Sequence, residues 1–209
     1  MKTVAIFGGS FNPPHLAHVL AVTAVRSTED VDEILVVPTY QHPFAKPLAP
    51  FDDRVELCRL AMEWIPGVSV SRVEEELAGD SRTLRTLEHL RAAHPDWSMR
   101  LVLGADILLE AHKWYRFDEV QRIAPPIVLG RAGVDAAGAP RPLLPEISST
   151  HVRQCIAEGR FDEIRNLVPR AVLTRIRERG LYRCNRSASS ALNRRSPMSR
   201  RAVSPFASP

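Results

Sequence analysis

Residues 8–18 read Gly8-Gly9-Ser10-Phe11-Asn12-Pro13-Pro14-His15-Leu16-Ala17-His18, and they follow an apolar run at residues 4–7. That run is too short for a signal peptide and predicts a buried first strand. Because proline is favoured at helix starts, the two prolines predict a helix behind them, over residues 16–26. We interpret the stretch as the loop of a strand–loop–helix unit.

Strand-like and helix-like segments alternate along the rest of the chain. Short apolar runs predict strands at residues 33–37, 68–73, 99–103 and 127–129. Helices are predicted at residues 51–64, 83–93, 117–123, 150–158 and 169–179. Residues 132–142 are rich in glycine, alanine and proline and predict a loop. The alternation is typical of a doubly wound α/β domain, with a mainly parallel, Rossmann-like sheet and helices on both faces.

Composition and charge narrow the class of protein. The 209 residues are 44% hydrophobic, which is normal for a globular domain and argues against general disorder. Residues 184–209 hold five arginines and no Lys, Asp or Glu, and subtracting these five from the net charge of +4 leaves −1 for residues 1–183. We therefore expect one domain over residues 1–183, without an electrostatic preference for nucleic acid, and a basic, disordered Ser/Arg/Pro-rich tail over residues 184–209.

The cysteines and the apolar runs indicate a cytoplasmic protein. Cys58, Cys155 and Cys184 are widely spaced and match no zinc or redox motif, so reduced thiols are expected. No apolar run approaches the roughly 18 residues of a membrane span. We expect no membrane partner, and the sequence does not indicate an oligomeric state.

The first loop suits a bound phosphate. Gly8 and Gly9 allow backbone N–H groups to approach a ligand, and the loop matches neither the dinucleotide fingerprint nor the Walker A motif. His15 and His18 share one face of a helix N-terminus, where the helix dipole favours an anion and disfavours imidazolium. On their own, two such histidines also fit a plain surface or core feature. A metal pair is weaker, since no third ligand lies nearby in the sequence.

Three motifs resemble those of the nucleotidyltransferases related to class I aminoacyl-tRNA synthetases. The opening stretch resembles their first motif, GG(S/T)F(D/N)PxHxGH. Ile147-Ser148-Ser149-Thr150-His151-Val152-Arg153 resembles the motif (I/V)SSTxIR, and Gly104-Ala105-Asp106 matches Gly-x-Asp after a strand. The order and spacing of the three motifs indicate this superfamily.

Within that superfamily the chain is most similar to the nicotinate-mononucleotide adenylyltransferases. This similarity rests on Lys113-Trp114-Tyr115, on Thr83-Leu84-Arg85-Thr86-Leu87, and on the ending at Gly180-Leu181-Tyr182. It covers residues 1–183. The chain departs from the family pattern at Ala17, where glycine is common, at Val152 in place of isoleucine, and at Arg82, where an aromatic residue often stands.

The resemblance implies an enzyme that transfers AMP from ATP to nicotinate mononucleotide and releases pyrophosphate. The substrate phosphate would attack the α-phosphorus directly, so catalysis would rest on positioning and charge stabilisation. Mg²⁺ is expected on the ATP phosphates, and no metal ligand is assigned to the protein. The partners expected are the two small-molecule substrates.

The resemblance also assigns site residues. The catalytic residues would be His18, His15 and Arg153, with His18 as the main donor to the transition state and Arg153 on the leaving pyrophosphate. The residues expected at ATP are Gly8, Gly9, Ser10, Phe11, His15, His18, Gly104, Asp106, Ser148, Ser149, Thr150 and Arg153. The residues expected at the mononucleotide are Lys46, Arg82, Thr83, Thr86, Asp106, Trp114 and Tyr115.

Several of these residues have simpler interpretations. Ser148 fits an ordinary helix N-cap and Arg153 a solvated side chain. Asp106 fits a cap after a tight turn, Lys46 an exposed loop residue and Trp114 a core aromatic. We also hypothesise that Arg82 lies near the mononucleotide and favours an acidic ring substituent.

Other functions stay open at this point. The acceptor could be nicotinamide mononucleotide or phosphopantetheine, although phosphopantetheine enzymes are usually shorter and lack the Trp-Tyr pair. A synthetase fragment would need a KMSKS-like segment, which the sequence lacks. A non-catalytic nucleotide-binding module would have lost a histidine or Arg153, and all three are present.

Overall fold

The computed structural model describes residues 1–41, 47–110, 114–134 and 138–183. Lys46, Lys113 and the tail at residues 184–209, all named above, lie outside these ranges. Within them, six strands form one sheet: β1 (Lys2–Gly9), β2 (Glu33–Pro38), β3 (Val68–Val70), β4 (Trp97–Gly104), β5 (Pro126–Arg131) and β6 (Pro142–Leu144). The strand order is β3-β2-β1-β4-β5-β6, and all neighbours run parallel.

Helices connect these strands or follow the last of them. They are α1 (Leu16–Thr28), α2 (Phe51–Cys58), α3 (Val73–Leu77), α4 (Thr83–Ala93), α5 (Ile107–Glu110), α6 (Phe117–Ile123), α7 (Ser149–Ala157), α8 (Phe161–Ile164) and α9 (Arg170–Arg179). A π-helical turn, Arg59–Glu63, continues α2. Among these helices, none combines the length and the apolar character that a membrane crossing requires.

The helices cover both faces of the sheet. Ala5 and Phe7 of β1 pack into one apolar cluster with α1, α2, α7, α8 and α9, whereas Val4 and Ile6 pack into another with α3, α4, α5 and α6. This alternation follows from the two-residue period of a strand that is buried on both sides. The prediction of a doubly wound parallel fold is confirmed.

A crevice opens where the strand order reverses around β1. The ladder between β1 and β4 ends at the pair Ile6 and Leu101, while β1 continues beside β2 as far as Gly9 and Pro38. The carboxyl ends of β1 and β4 are therefore no longer paired with each other, and in open α/β sheets ligands bind at such a point. The loop after β1, with its two histidines, lies at this crevice.

Some local predictions were wrong. The strand predicted at 68–73 ends at Val70, because α3 begins at Val73 with three glutamates in its first turn, where the helix dipole favours them. The helix predicted at 51–64 changes to a π-helical turn after Cys58. Strand β6, which begins at the last residue of the loop predicted at 132–142, was not predicted, and neither were α3, α5 and α8.

Candidate active site

Two cavities meet at the crevice. One, of about 410 Å³, lies beside α1 and α7, and the other, of about 570 Å³, lies beside α4. Ser10, Val102 and Leu103 line both. We call the first the histidine cavity, after His15 and His18, and the second the aromatic cavity, after Trp114 and Tyr115.

Most residues expected at ATP line the histidine cavity. They are Ser10, Phe11, His15, His18, Gly104, Asp106, Ser148, Ser149, Thr150 and Arg153. Gly8 and Gly9 were expected there as well, but they line the aromatic cavity. Three distant segments of the chain thus come together at one site: the loop after β1, the end of β4 and the start of α7.

The two histidines form a stacked pair at the start of α1. Their ring centroids lie 3.8 Å apart, with an angle of 28° between the ring planes. The His15 backbone N–H donates to His18 Nδ1 at 3.1 Å. Because Nδ1 accepts this bond, the neutral His18 ring carries its proton on Nε2, which is left as a donor.

Burial keeps both imidazoles neutral. Burial, followed by the charge of Arg131, lowers the pKa of His15 to about 4. Burial, then His15 and Arg131, lowers the pKa of His18 well below its ordinary value. The sequence predicted that imidazolium is disfavoured here through the helix dipole, and the structure adds burial and Arg131 as causes. At neutral pH the pair presents uncharged donors to the cavity.

Phe11 supports His18 from the loop. Its backbone has φ of 43°, a left-handed conformation that is strained for a residue other than glycine. Its ring is 2% exposed and packs edge-on against the His18 ring at 5.0 Å between centroids. Phe7 completes this packing, with its ring centroid 5.4 Å from that of Phe11.

The start of α7 holds the loop after β1. Arg153 Nη1 donates to the Asn12 carbonyl at 2.7 Å, and Ser149 Oγ donates to the Pro13 carbonyl at 2.8 Å. Ser148 caps the helix, since its Oγ accepts from the His151 N–H at 3.2 Å. The simple interpretation as a cap therefore applies to Ser148, whereas Arg153 is a half-buried anchor that also faces the cavity.

Arg131 is a cavity residue that the sequence reasoning missed. It is the last residue of β5, and its Nη2 donates to the Ile147 carbonyl at 2.7 Å. Its Nη1 lies 4.0 Å from a carboxylate oxygen of Asp106. The available signal was its position at the carboxyl end of a predicted parallel strand, where ligand-binding residues cluster.

The turn between β4 and α5 is shaped by Gly104. A Cβ atom at this position would lie 2.4 Å from Asp106 Oδ1, which is closer than two such atoms approach in proteins. Glycine therefore lets the Asp106 carboxylate fold back beside the strand end. Asp106 was expected to contact both nucleotides, and it lines the histidine cavity.

The residues expected at the mononucleotide, apart from Asp106 and Lys46, line the aromatic cavity. They are Arg82, Thr83, Thr86, Trp114 and Tyr115. The Arg82 guanidinium stacks over the Tyr115 ring, 5.1 Å from its centroid. Trp114 packs edge-on against Phe117 at 5.5 Å, so it serves the core and faces the cavity.

Glu74 gives the aromatic cavity a carboxylate that the sequence reasoning did not single out. Its Oε1 accepts from the Thr86 hydroxyl at 3.2 Å, and its Oε2 accepts from the Tyr40 N–H at 3.0 Å. Ser81 Oγ accepts from the same N–H at 3.0 Å. Glu74 thus joins α3, α4 and the loop after β2 along one wall of the cavity.

The described ranges contain no group of three or more His, Cys, Asp or Glu side chains placed to hold a metal ion. Asp106 is the carboxylate that lines the histidine cavity. One carboxylate suits Mg²⁺ that arrives on phosphate oxygens and keeps part of its water shell.

Comparison with known proteins identifies the family. A family model described as Cytidylyltransferase-like matches residues 6–155. A probable nicotinate-nucleotide adenylyltransferase of Anaeromyxobacter sp. (strain K) is 50% identical over 186 residues, covering 87% of this chain and 97% of the relative. A protein of the same description from Myxococcus xanthus (strain DK1622) is 40% identical over 185 residues, covering 88% and 96%.

Solved structures support the fold. The Plasmodium falciparum nicotinic acid mononucleotide adenylyltransferase complexed with APC aligns with a TM-score of 0.73 at 19% identity, over 87% of this chain and 98% of that one. The same enzyme complexed with NaAD aligns with a TM-score of 0.69 at 17% identity, with the same coverage. Together with the sequence relatives, these findings show that the chain belongs to the nicotinate-nucleotide adenylyltransferases of the cytidylyltransferase-like family.

Proposed function

We propose that the chain transfers AMP from ATP to nicotinate mononucleotide, with ATP in the histidine cavity and the mononucleotide in the aromatic cavity. The observation that carries this proposal is the meeting of the two cavities at Ser10, between the ends of β1 and β4. Two nucleotides seated this way would bring the acceptor phosphate next to the α-phosphate of ATP. Such positioning removes much of the entropic cost of a two-substrate reaction.

The reaction is a direct displacement at phosphorus. An oxygen of the mononucleotide phosphate forms a bond to the α-phosphorus, and the bond from that phosphorus to the bridging oxygen of the β-phosphate breaks. The bonding electron pair leaves with pyrophosphate, and nicotinate adenine dinucleotide is the second product. The protein supplies fixed donors and charge for the oxygens on which negative charge develops.

The donors of the histidine cavity suit these tasks. His18 Nε2–H, left free by the bond at Nδ1, would donate to the α-phosphate as the main donor to the transition state, with neutral His15 stacked against it. Arg153 and Arg131 supply positive charge for the β- and γ-phosphates, together with the hydroxyls at the start of α7. Mg²⁺ belongs to the ATP substrate and would neutralise the phosphates further.

The aromatic cavity suits the pyridine ring. Trp114 offers a face for stacking, and the N-terminus of α4 at Thr83 offers free N–H groups to a carboxylate. Because the Glu74 carboxylate bonds Thr86, one turn further along α4, we place the ring carboxylate at the start of that helix, towards Arg82 and Tyr115. Lys46 remains a predicted residue of the mononucleotide site. The predicted cytoplasmic location is also part of this proposal.

The test is pyrophosphate release in the presence of ATP and Mg²⁺, with nicotinate mononucleotide, nicotinamide mononucleotide or phosphopantetheine offered in parallel. The proposal predicts that nicotinate mononucleotide gives much the highest kcat/KM. Preference for the amide would keep the reaction and overturn the arrangement at Arg82. ATP binding without turnover of any acceptor would indicate a non-catalytic nucleotide-binding module.

A further inference from the structure

Arg54, on α2, is a buried cation that no step above uses. The residue is 1% exposed. Its Nε donates to the Ala49 carbonyl at 2.9 Å, its Nη1 to the Ser10 carbonyl at 3.1 Å, and its Nη2 to the Tyr40 carbonyl at 3.4 Å. One rigid guanidinium therefore joins the loop after β1, the loop after β2 and the segment before α2.

All three of these segments form walls of the site. Ser10 lines both cavities. Thr39, next to Tyr40, lines the aromatic cavity, and Leu48, next to Ala49, lines the histidine cavity. The guanidinium thus lies behind the place where the two substrates would meet, and it touches the site only through the backbone.

The Arg54 charge lacks an anionic partner in contact. Across the ranges that the structure describes, no carboxylate oxygen lies within 4.0 Å of its guanidinium. Burial raises the pKa of the neighbouring Cys58 thiol and Tyr182 hydroxyl, so both stay neutral. The negative charge of Glu74 acts on Arg54 from farther away, and it already accepts bonds from Thr86 and Tyr40.

A buried charge without a counter-ion destabilises the protein that holds it. Each of the three guanidinium nitrogens of Arg54 donates to a carbonyl, but these bonds do not neutralise its charge. The phosphate groups of the two substrates would bring negative charge to Ser10, whose carbonyl accepts a hydrogen bond from the guanidinium. Substrate binding would therefore relieve an unfavourable feature of the empty enzyme.

We propose that Arg54 is a positioning residue with two effects: it fixes the three loops that form the wall between the cavities, and its buried charge is compensated by substrate phosphates. The first effect should act on turnover, because Ser10 must hold the two phosphates in line. The second should act on binding of any polyphosphate. The proposal rests on the proposed function for the identity of the acceptor and for the placement of both sets of phosphates beside Ser10.

The experiment compares wild type with Arg54→Met and Arg54→Lys. Arg59→Met is the matched control, because Arg59 lies in the following turn, is half-exposed and faces Glu63 at 3.9 Å, outside both cavities. For each protein we would measure the rise in Tm caused by ATP with Mg²⁺, and kcat and KM for pyrophosphate release with nicotinate mononucleotide. Wild-type turnover in this assay tests the proposed function separately.

Arg54→Met should lose at least half of the rise in Tm that ATP produces, and kcat/KM should fall about tenfold to a hundredfold, the range for a lost charge-assisted hydrogen bond. Arg54→Lys keeps the charge without the three-armed geometry, so it should keep the rise in Tm while kcat falls about tenfold. Arg59→Met should match wild type.

An unchanged ATP-induced rise in Tm in Arg54→Met would overturn the role of the charge, and unchanged kcat in Arg54→Lys would overturn the role in positioning. If Arg54→Met fails to fold, Arg54→Lys alone tests both effects of Arg54. A retained rise in Tm with lowered kcat then supports the proposal. A lost rise in Tm, or wild-type kcat, then contradicts it.

Discussion

The hydrogen bond from the His15 backbone to His18 Nδ1 determines what His18 can do in the reaction. It leaves the Nε2 proton for the cavity and holds the ring in place against Phe11 and His15. A donor fixed before the reaction begins stabilises developing charge without reorganisation. The role of His18 therefore depends on its neutral, oriented state rather than on a positive charge.

His18→Ala should lower kcat about 100-fold or more, as the loss of one transition-state donor often does, while the KM for ATP changes far less. Steady-state pyrophosphate release with nicotinate mononucleotide measures this. His89→Ala is the control, because His89 is exposed on α4 and lines neither cavity. Turnover of His18→Ala within a few-fold of wild type would remove the role assigned to His18.

Arg82 should determine the choice between acid and amide. Its guanidinium is the cation that lines the aromatic cavity within the described residues, and it is held over the Tyr115 ring. Arg82→Ala should lower the ratio of kcat/KM for nicotinate mononucleotide over nicotinamide mononucleotide about tenfold, because a charge-assisted contact to the carboxylate is lost. Measuring both substrates in one assay gives the ratio.

The control for Arg82 is Arg91→Ala, which removes an exposed arginine from the last turn of the same helix. It should leave the ratio unchanged. If Arg82→Ala also leaves it unchanged, discrimination must come from the N–H groups at Thr83 and from Tyr115 alone.

At the scale of elements, the turn between β4 and α5 places a carboxylate in the histidine cavity. Gly104→Ala would put a Cβ atom 2.4 Å from Asp106 Oδ1, and the flexible carboxylate would move more easily than the backbone. We expect little change in Tm and a KM for ATP raised about fivefold to tenfold, the size of one displaced polar contact.

A double-mutant cycle tests this account of the turn. Gly104→Ala should add almost nothing to the KM change of Asp106→Ala, since the two residues act as a unit. Additive effects would mean that alanine disturbs the turn itself rather than the Asp106 carboxylate.

Elements with a clear period were predicted well. The helix expected at residues 83–93 is α4, and the one at 117–123 is α6. The pattern failed where an element is short or has few buried residues, as in β6, where Leu144 alone of three residues is buried. It also failed at the π-helical turn, since a single extra residue per turn leaves no signal in so short a segment.

The site was predictable as far as it follows strand ends and motifs. His15, His18, Asp106 and Ser149 come directly after strands or at helix starts, and a parallel sheet brings those positions to one edge. Arg131 and Arg54 were missed because their roles depend on which distant carbonyl they reach. The hydrogen bond from Arg54 to Ser10 spans 44 residues of sequence, a distance that no local pattern reports.

At the scale of the whole molecule, the open crevice gathers arginine and imidazole side chains where we propose that the phosphates bind. Arg54 and Arg153 donate hydrogen bonds to the loop after β1. The charge of Arg131 adds to burial in disfavouring imidazolium at His15 and His18. Burial and positive charge suit the empty site to anions. Because they also lower the pKa values of the two histidines, they make the stability of the fold depend on pH.

The sign of that dependence follows from the lowered pKa of His15, about 4 against an ordinary 6.5. Between these values the unfolded chain binds a proton that the folded protein does not bind, so stability is full above pH 6.5 and falls as the pH drops towards 4. His15 should contribute a loss of about 2 kcal/mol between pH 7 and pH 5. Other groups add their own changes, so a variant must isolate this part.

Urea unfolding of wild type and His15→Gln at pH 7 and pH 5 measures the contribution of His15 to this loss of stability. Glutamine keeps an amide donor in place of the ring and does not titrate, so His15→Gln should lose about 2 kcal/mol less than wild type over this interval. His89→Gln, at an exposed site, should lose as much as wild type. Equal losses in all three proteins would mean that His15 is protonated as readily in the folded protein as in the unfolded chain. Burial and Arg131 would then not be what keeps His15 neutral in the empty site.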